Sequence, residues 1–155
     1  MVAAFPAPPF LIGHSMGGLV VQKYLESGYS PGAVLMASVP PRGTIAAVAR
    51  LAVRHPIEFL KTNLLLRLRP FIGTSKLVRE LFFTPDTRQE IVDHCFACLQ
   101  DESYLAFIDT MMVLPRPHRV HVPVLVLGGE RDSLFTAAEV HSTARAYQTE
   151  AEIFA

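Results

Sequence analysis

Apolar positions along this chain follow two spacings. Unbroken runs at Pro9-Phe-Leu-Ile12, Ala33-Val-Leu-Met-Ala-Ser38 and Val122-Pro-Val-Leu-Val-Leu127 read as short buried strands bounded by glycine or proline. Between the first two, Gly18 to Ser27 reads as a helix stopped at Gly28, so the opening is strand, helix, strand, which implies a parallel pair. Pro40 and Pro41 break the pattern, and residues from about 43 to 118 contain no strand-like run. Helices are expected there instead. Pro56 stands at a first-turn position before Ile57 to Leu68, and Thr84 with Pro85 is expected to cap a helix whose face carries Ile91, Val92, Cys95 and Leu99. Asp101 to Val113 continues with Tyr104, Ile108 and Met111 or Met112 on one face. Gly128 and Gly129 end the third strand. Thr136-x-x-Glu139 is a capping box opening a helix to about Tyr147, and Ala151 to Ala155 begins a further strand.

The order is thus βαβ, a helical insertion, then βαβ. It predicts an α/β fold with a parallel sheet, a core formed by residues 1–40 and 119–155, and a helical insertion over 41–118. Inserting helices after one strand and then resuming the sheet is how an α/β enzyme builds a lid over its strand-end loops.

With 155 residues, 50% of them hydrophobic, the chain can bury a sizeable core. Fourteen Lys and Arg balance fourteen Asp and Glu, so the overall charge gives no footprint for nucleic acid or for a bulk membrane-surface interaction. The first ten residues carry three prolines and no basic segment, unlike a secretory signal. Arg50 and Arg54 interrupt the longest apolar stretch, so no stable membrane insertion is expected and a cytoplasmic location is. Cys95 and Cys98, three apart, do not make a disulfide framework.

Candidate chemistry concentrates in Leu11-Ile-Gly-His-Ser-Met-Gly-Gly18. Gly13-x-Ser15-x-Gly17 after a short apolar strand is the nucleophile-elbow pattern, in which a serine occupies a strained strand-to-helix turn. Side chains two positions before and after would collide with the turn or the following helix, which predicts that both Gly13 and Gly17 are needed for space. The turn lifts the hydroxyl above the strand end, and the first helical turn leaves the Met16 backbone N–H free to stabilise an oxyanion.

Together with the strand Ala33 to Ser38 and with Pro123-Val-Leu-Val-Leu-Gly-Gly-Glu-Arg-Asp132, this motif resembles the α/β-hydrolase superfamily, in particular its lipase, esterase and lysophospholipase-like members with a helical cap. The features occur in the family's order along almost the whole chain. The resemblance implies Ser15 as nucleophile and Asp132 as the acid that orients a histidine, with Glu130 in the same loop as the competitor. It also implies a histidine after the strand that follows the acid's helix, and none lies there. His141 falls inside the helix opened at Thr136 and reads as a surface residue. The four strands that the family places before the elbow, with the loop completing the oxyanion hole, are not recognisable either, so the chain is expected to be part of a longer hydrolase.

Other features have plainer readings. His14, beside the serine, is not expected to act as its base, because adjacent residues on a strand point apart, and the resemblance implies that it packs structurally. His94, Cys95 and Cys98 lack a fourth ligand at zinc spacing and read as helix packing, so no metal or other cofactor is expected. Phe59 to Arg69 has the pattern of a lid helix, and also that of a helix lying on a lipid surface. Asp101 or Ser103 reads as a helix cap. The resulting expectation is a serine hydrolase of carboxylic esters acting on a small-molecule substrate. Leu64, Leu65, Leu68, Phe71, Met111 and Met112 favour an apolar acyl group. The alternatives are a truncated, non-catalytic domain or a related thioesterase or acyltransferase.

Overall fold

Four short strands make one parallel sheet in a computed structural model that describes residues 2–155. They are β1 (Leu11–His14), β2 (Ala33–Met36), β3 (Val124–Gly129) and β4 (Ala151–Phe154), side by side in chain order. The register aligns Gly13, Leu35, Val126 and Ala151 in one row and His14, Met36, Leu127 and Glu152 in the next. Right-handed crossovers in a sheet laid down in order put the connecting helices α1 (Met16–Leu25) and α7 (Ala137–Ala146) on one face. There Leu35, Val124, Val126, Val140 and Ala144 form the core, flanked by Val21, Tyr147 and Ile153. The opposite face carries Ile12, Val34, Leu125, Met36 and Leu127.

The elements follow the pattern of the sequence, with shifts that have local causes. β1 begins at Leu11 rather than Pro9, because proline has no N–H for the ladder. The first ladder donor is the Leu11 N–H, bonded to the Gly32 carbonyl at 3.2 Å. β2 stops at Met36, since Ala37 turns left-handed (φ 38°) and sends its N–H to the Leu127 carbonyl. The capping box at Thr136 forms as expected: the Thr136 hydroxyl accepts from the Glu139 N–H, and a Glu139 carboxylate oxygen accepts from the Thr136 N–H at 2.8 Å.

The chain divides into two compact units, residues 1–44 with 110–155 and residues 45–109. Residues 41–44 and 110–118 therefore go with the sheet. Thr44 and Thr110 share a buried hydroxyl bond of 2.7 Å, the Leu114 carbonyl accepts from Lys23 Nζ, and the Arg116 N–H reaches the Glu26 carboxylate. The second unit is wholly helical: α2 (Ile45–Arg54), α3 (Pro56–Leu65), α4 (Ser75–Phe82), α5 (Gln89–Cys98) and most of α6 (Tyr104–Met112), packed around Phe71, Val78, Leu81 and Val92. Pro56 opens α3 as expected, but the helix ends at Leu66, which is left-handed (φ 52°), short of Leu68. The expected cap at Thr84 and Pro85 is not formed. Those residues make a turn closed by the Thr87 N–H on the Thr84 carbonyl, the Arg79 guanidinium binds the Pro85 and Thr87 carbonyls, and α5 starts only at Gln89.

Candidate active site

Ser15 joins β1 to α1 with φ 51° and ψ −121°, a backbone conformation that non-glycine residues rarely hold and that costs on the order of 1–3 kcal/mol. The surroundings impose it. The Ser15 N–H donates to the Met36 carbonyl at 3.1 Å, and the Ser15 carbonyl accepts from the Gly18 and Val39 N–H groups at 3.0 and 3.1 Å. These three bonds tie the turn to the end of β2 and to the first turn of α1. The side chain makes no capping hydrogen bond to α1, so the half-buried hydroxyl stays available at the carboxyl edge of the sheet. Met16 is the first residue of α1, and an N–H at that position has no intrahelical partner.

The glycines around the turn have unequal roles. A Cβ at Gly13 would lie 2.7 Å from the Gly17 carbonyl oxygen and from Gly18 Cα, so Gly13 is needed for the turn to close. A Cβ at Gly17 meets nothing within 4 Å, which corrects the expectation that position 17 is restricted by space. The third glycine takes that role. A Cβ at Gly18 would overlap the Ser38 hydroxyl and stand 2.5 Å from its Cβ.

Asp132 lies in the loop after β3, also at the carboxyl edge. Its Oδ1 accepts from the backbone N–H groups of Leu134 at 2.8 Å and Phe135 at 2.9 Å, and its own N–H points to the Gly129 carbonyl. This local turn spends one carboxylate oxygen on holding the loop and leaves Oδ2 outside both bonds. β1 and β3 flank β2, so their ends are about 10 Å apart at ordinary strand spacing. Glu130 is exposed, and its N–H is engaged by the Phe154 carbonyl at the end of β4.

Among the described residues no histidine is hydrogen-bonded to Ser15 or Asp132. His141 is exposed on α7. His14 is exposed as well, contrary to the packing role expected of it. It shares the open face of the edge strand β1 with Ile12, whereas α1 and the core occupy the other face. Cys98 Sγ lies 3.9 Å from His94 Nε2, and the described residues contain no group of three or more His, Cys, Asp or Glu side chains able to hold a metal ion.

A sequence model of the alpha/beta hydrolase family matches residues 1–154. The chain belongs to the alpha/beta hydrolase family. Its fold is similar to that of a homoserine O-acetyltransferase from Staphylococcus aureus, with a TM-score of 0.62 and 16% identity over 99% of this chain and 54% of that one. A thermostable carboxyl esterase from Bacillus coagulans is similar at TM-score 0.58 and 17% identity, covering 98% of this chain and 57% of the esterase. Esterase RhEst1 from Rhodococcus sp. ECU1013 is similar at TM-score 0.56 and 19% identity, covering 94% and 56%. The chain thus spans little more than half the length of these structures. No curated protein sequence matches it.

In this alpha/beta hydrolase the turn is supported by a buried network that the motif does not reveal. Gln22, fully buried on α1, donates from Nε2 to the Ser38 hydroxyl at 2.9 Å and the Val39 carbonyl at 2.8 Å, and its Oε1 accepts from the Tyr147 hydroxyl at 3.0 Å. Burial, with a smaller contribution from the nearby Glu26 charge, pushes the Tyr147 phenol far above its ordinary value, so it stays a donor. Gln22 stands on the same helical face as Gly18, Leu19 and Leu25. A polar side chain inside that buried stripe was the available signal.

Proposed function

We propose that the protein is a serine hydrolase of carboxylic esters working through an acyl-enzyme on Ser15. The observation that carries this reading is the Ser15 backbone, held by three hydrogen bonds in a strained turn while its hydroxyl makes no cap to the helix behind it. Attack of Oγ on the ester carbonyl, with its proton passing to a base, gives a tetrahedral oxyanion that the Met16 N–H stabilises. Collapse expels the alcohol, which takes the proton back from the base. Water, deprotonated by the same base, then attacks the acyl-serine and releases the acid. Asp132 orients the base and stabilises its charged form through the oxygen not committed to the loop. The described histidines do not supply the base, and in the family's order it follows the strand after the acid.

An apolar acyl group is the favoured acid moiety. Of the residues considered for that contact, Leu64, Leu65, Leu68 and Phe71 belong to the helical unit and Met112 is exposed, so within the unit that carries Ser15 the preference rests on half-buried Met111. A fluorophosphonate probe tests the nucleophile: in a form of the protein that also supplies the base it should label Ser15, and S15A should abolish both labelling and hydrolysis of p-nitrophenyl butyrate. Labelling and turnover that survive S15A refute the assignment. If added alcohol takes up the acyl group in preference to water, the acyl-enzyme stands and the protein is an acyltransferase.

A further inference from the structure

The helical unit is electrically polarised along its sequence in a way that the balanced overall charge conceals. Residues 45–79 carry seven Lys and Arg against Glu58 alone, whereas residues 80–109 carry Arg88 against seven Asp and Glu. The cationic stretch contains α2 and α3, and α3 turns an apolar stripe to solvent. Ile57, Leu60 and Leu64, at i, i+3 and i+7, are 62%, 59% and 73% exposed. The opposite side of α3 is the packed one, with Thr62 buried and Glu58 and Phe59 half-buried. The left-handed turn at Leu66 continues the apolar surface through exposed Leu65 and Leu66, and Val53, at the end of α2, is more exposed still. Four cations in the same segment, Arg54, Lys61, Arg67 and Arg69, are all exposed.

We infer that the α3 side of the helical unit docks on an anionic lipid surface. A neutral apolar partner would explain the leucines but not the cations beside them, and a nucleic acid would explain the cations but not an uncharged stripe. An interface of anionic headgroups over acyl chains accepts both, with the stripe at the headgroup boundary and the lysine and arginines toward the phosphates. With ten residues α3 is far too short to cross a bilayer and would lie in its plane. The inference does not depend on the reaction assigned to Ser15.

The experiment is flotation of the protein with phosphatidylcholine vesicles, alone or containing a third phosphatidylglycerol, at low and high salt. Binding should require phosphatidylglycerol and weaken with salt. L60D/L64D should abolish it, and K61E/R67E should weaken it about tenfold or more. L105D alters an equally exposed leucine on α6 in the acidic half and should leave binding unchanged. Circular dichroism of each variant verifies that the helices remain. Equal binding to both vesicles overturns the inference, as does binding that survives L60D/L64D in a folded protein or that L105D removes equally. It is also overturned if L60D/L64D changes only the sedimentation mass in the absence of lipid, which would assign the stripe to a second copy of the chain.

Discussion

Gly18 and Ser38 are in such close contact that position 18 has no room for a side chain, and Gly18 Cα therefore sets how closely α1 approaches the loop after β2. The same loop supplies the Val39 N–H to the Ser15 carbonyl, so this contact and the nucleophile's backbone belong to one assembly. G18A should destabilise the sheet unit by about 1–3 kcal/mol, and S38G should recover much of that loss in the double variant. G13A should cost at least as much, because its Cβ meets backbone that cannot move aside. G17A should be neutral or stabilising by about 0.5 kcal/mol, since alanine replaces glycine in a helix with open space around it. Urea midpoints of the three single variants and the double variant test the ranking; equal losses at 13 and 17 would refute it.

The two carboxylates after β3 should separate in kinetics. D132N keeps an oxygen able to accept from Leu134 and Phe135, so the loop should hold while the charge that stabilises a protonated base is lost. In a form of the protein that supplies the histidine base, turnover should fall by about 10⁴-fold with the melting temperature nearly unchanged. E130Q, at an exposed side chain, should change turnover by less than about threefold. D132A removes the loop's acceptor as well and should lower both activity and stability. The reverse order for D132N and E130Q would move the acid to Glu130.

The unbroken apolar runs, the helical middle and the capping box were legible because each is fixed by residues adjacent in sequence. Elbow geometry was legible for the same reason: Gly13 and Ser15 lie within one turn. What could not be read was set by partners far along the chain. The need for glycine at 18 rather than 17 arises from Ser38, twenty residues on, and Gln22 makes sense only beside Ser38 and Tyr147. The cap misplaced at Thr84 failed similarly, because the Arg79 side chain holds the Pro85 and Thr87 carbonyls in a turn that local propensity does not encode. His14 was expected to pack because the family resemblance implies it at that position, yet it stands on the open side of the edge strand.

Acid should loosen the sheet unit through Glu26. Burial acts to raise its pKa, but the Lys23 ammonium and the Arg116 N–H, both on Oε1, together outweigh burial and hold it below the ordinary 4.5. A carboxylate with a depressed folded-state value contributes stability that is fully present above the unfolded value and lost as pH falls through the folded one. The contribution should therefore be intact at neutral pH and disappear below about pH 4.5. E26Q should lower the neutral-pH melting temperature and flatten this part of the acid limb. An acid limb of the same steepness in E26Q would show that other carboxylates govern it.

The face of the sheet opposite α1 and α7 should drive self-association of the 155-residue chain. Parallel sheets are ordinarily covered on both faces, yet Ile12 is 68% exposed and Met36 and Leu125 about 40%. β1 adds an edge strand paired only to β2, with Phe10 exposed just before it. At about 25 cal/mol per Å², covering such a surface by any apolar partner is favourable enough to compete with keeping it wet. The 155-residue chain should sediment as oligomers or heterogeneous aggregate and show negligible ester hydrolysis, because among the described residues no histidine is bonded to Ser15. Replacing Ile12 by Thr, Met36 by Gln and Leu125 by Thr should shift it toward monomer while keeping its circular dichroism, whereas V126T, in the covered core, should unfold it. A monomeric chain with cooperative unfolding that these surface changes leave untouched would mean that the open face is tolerated in water. Ser15-dependent turnover in that monomer would require a base among the described residues, with His14 and His141 the first to replace.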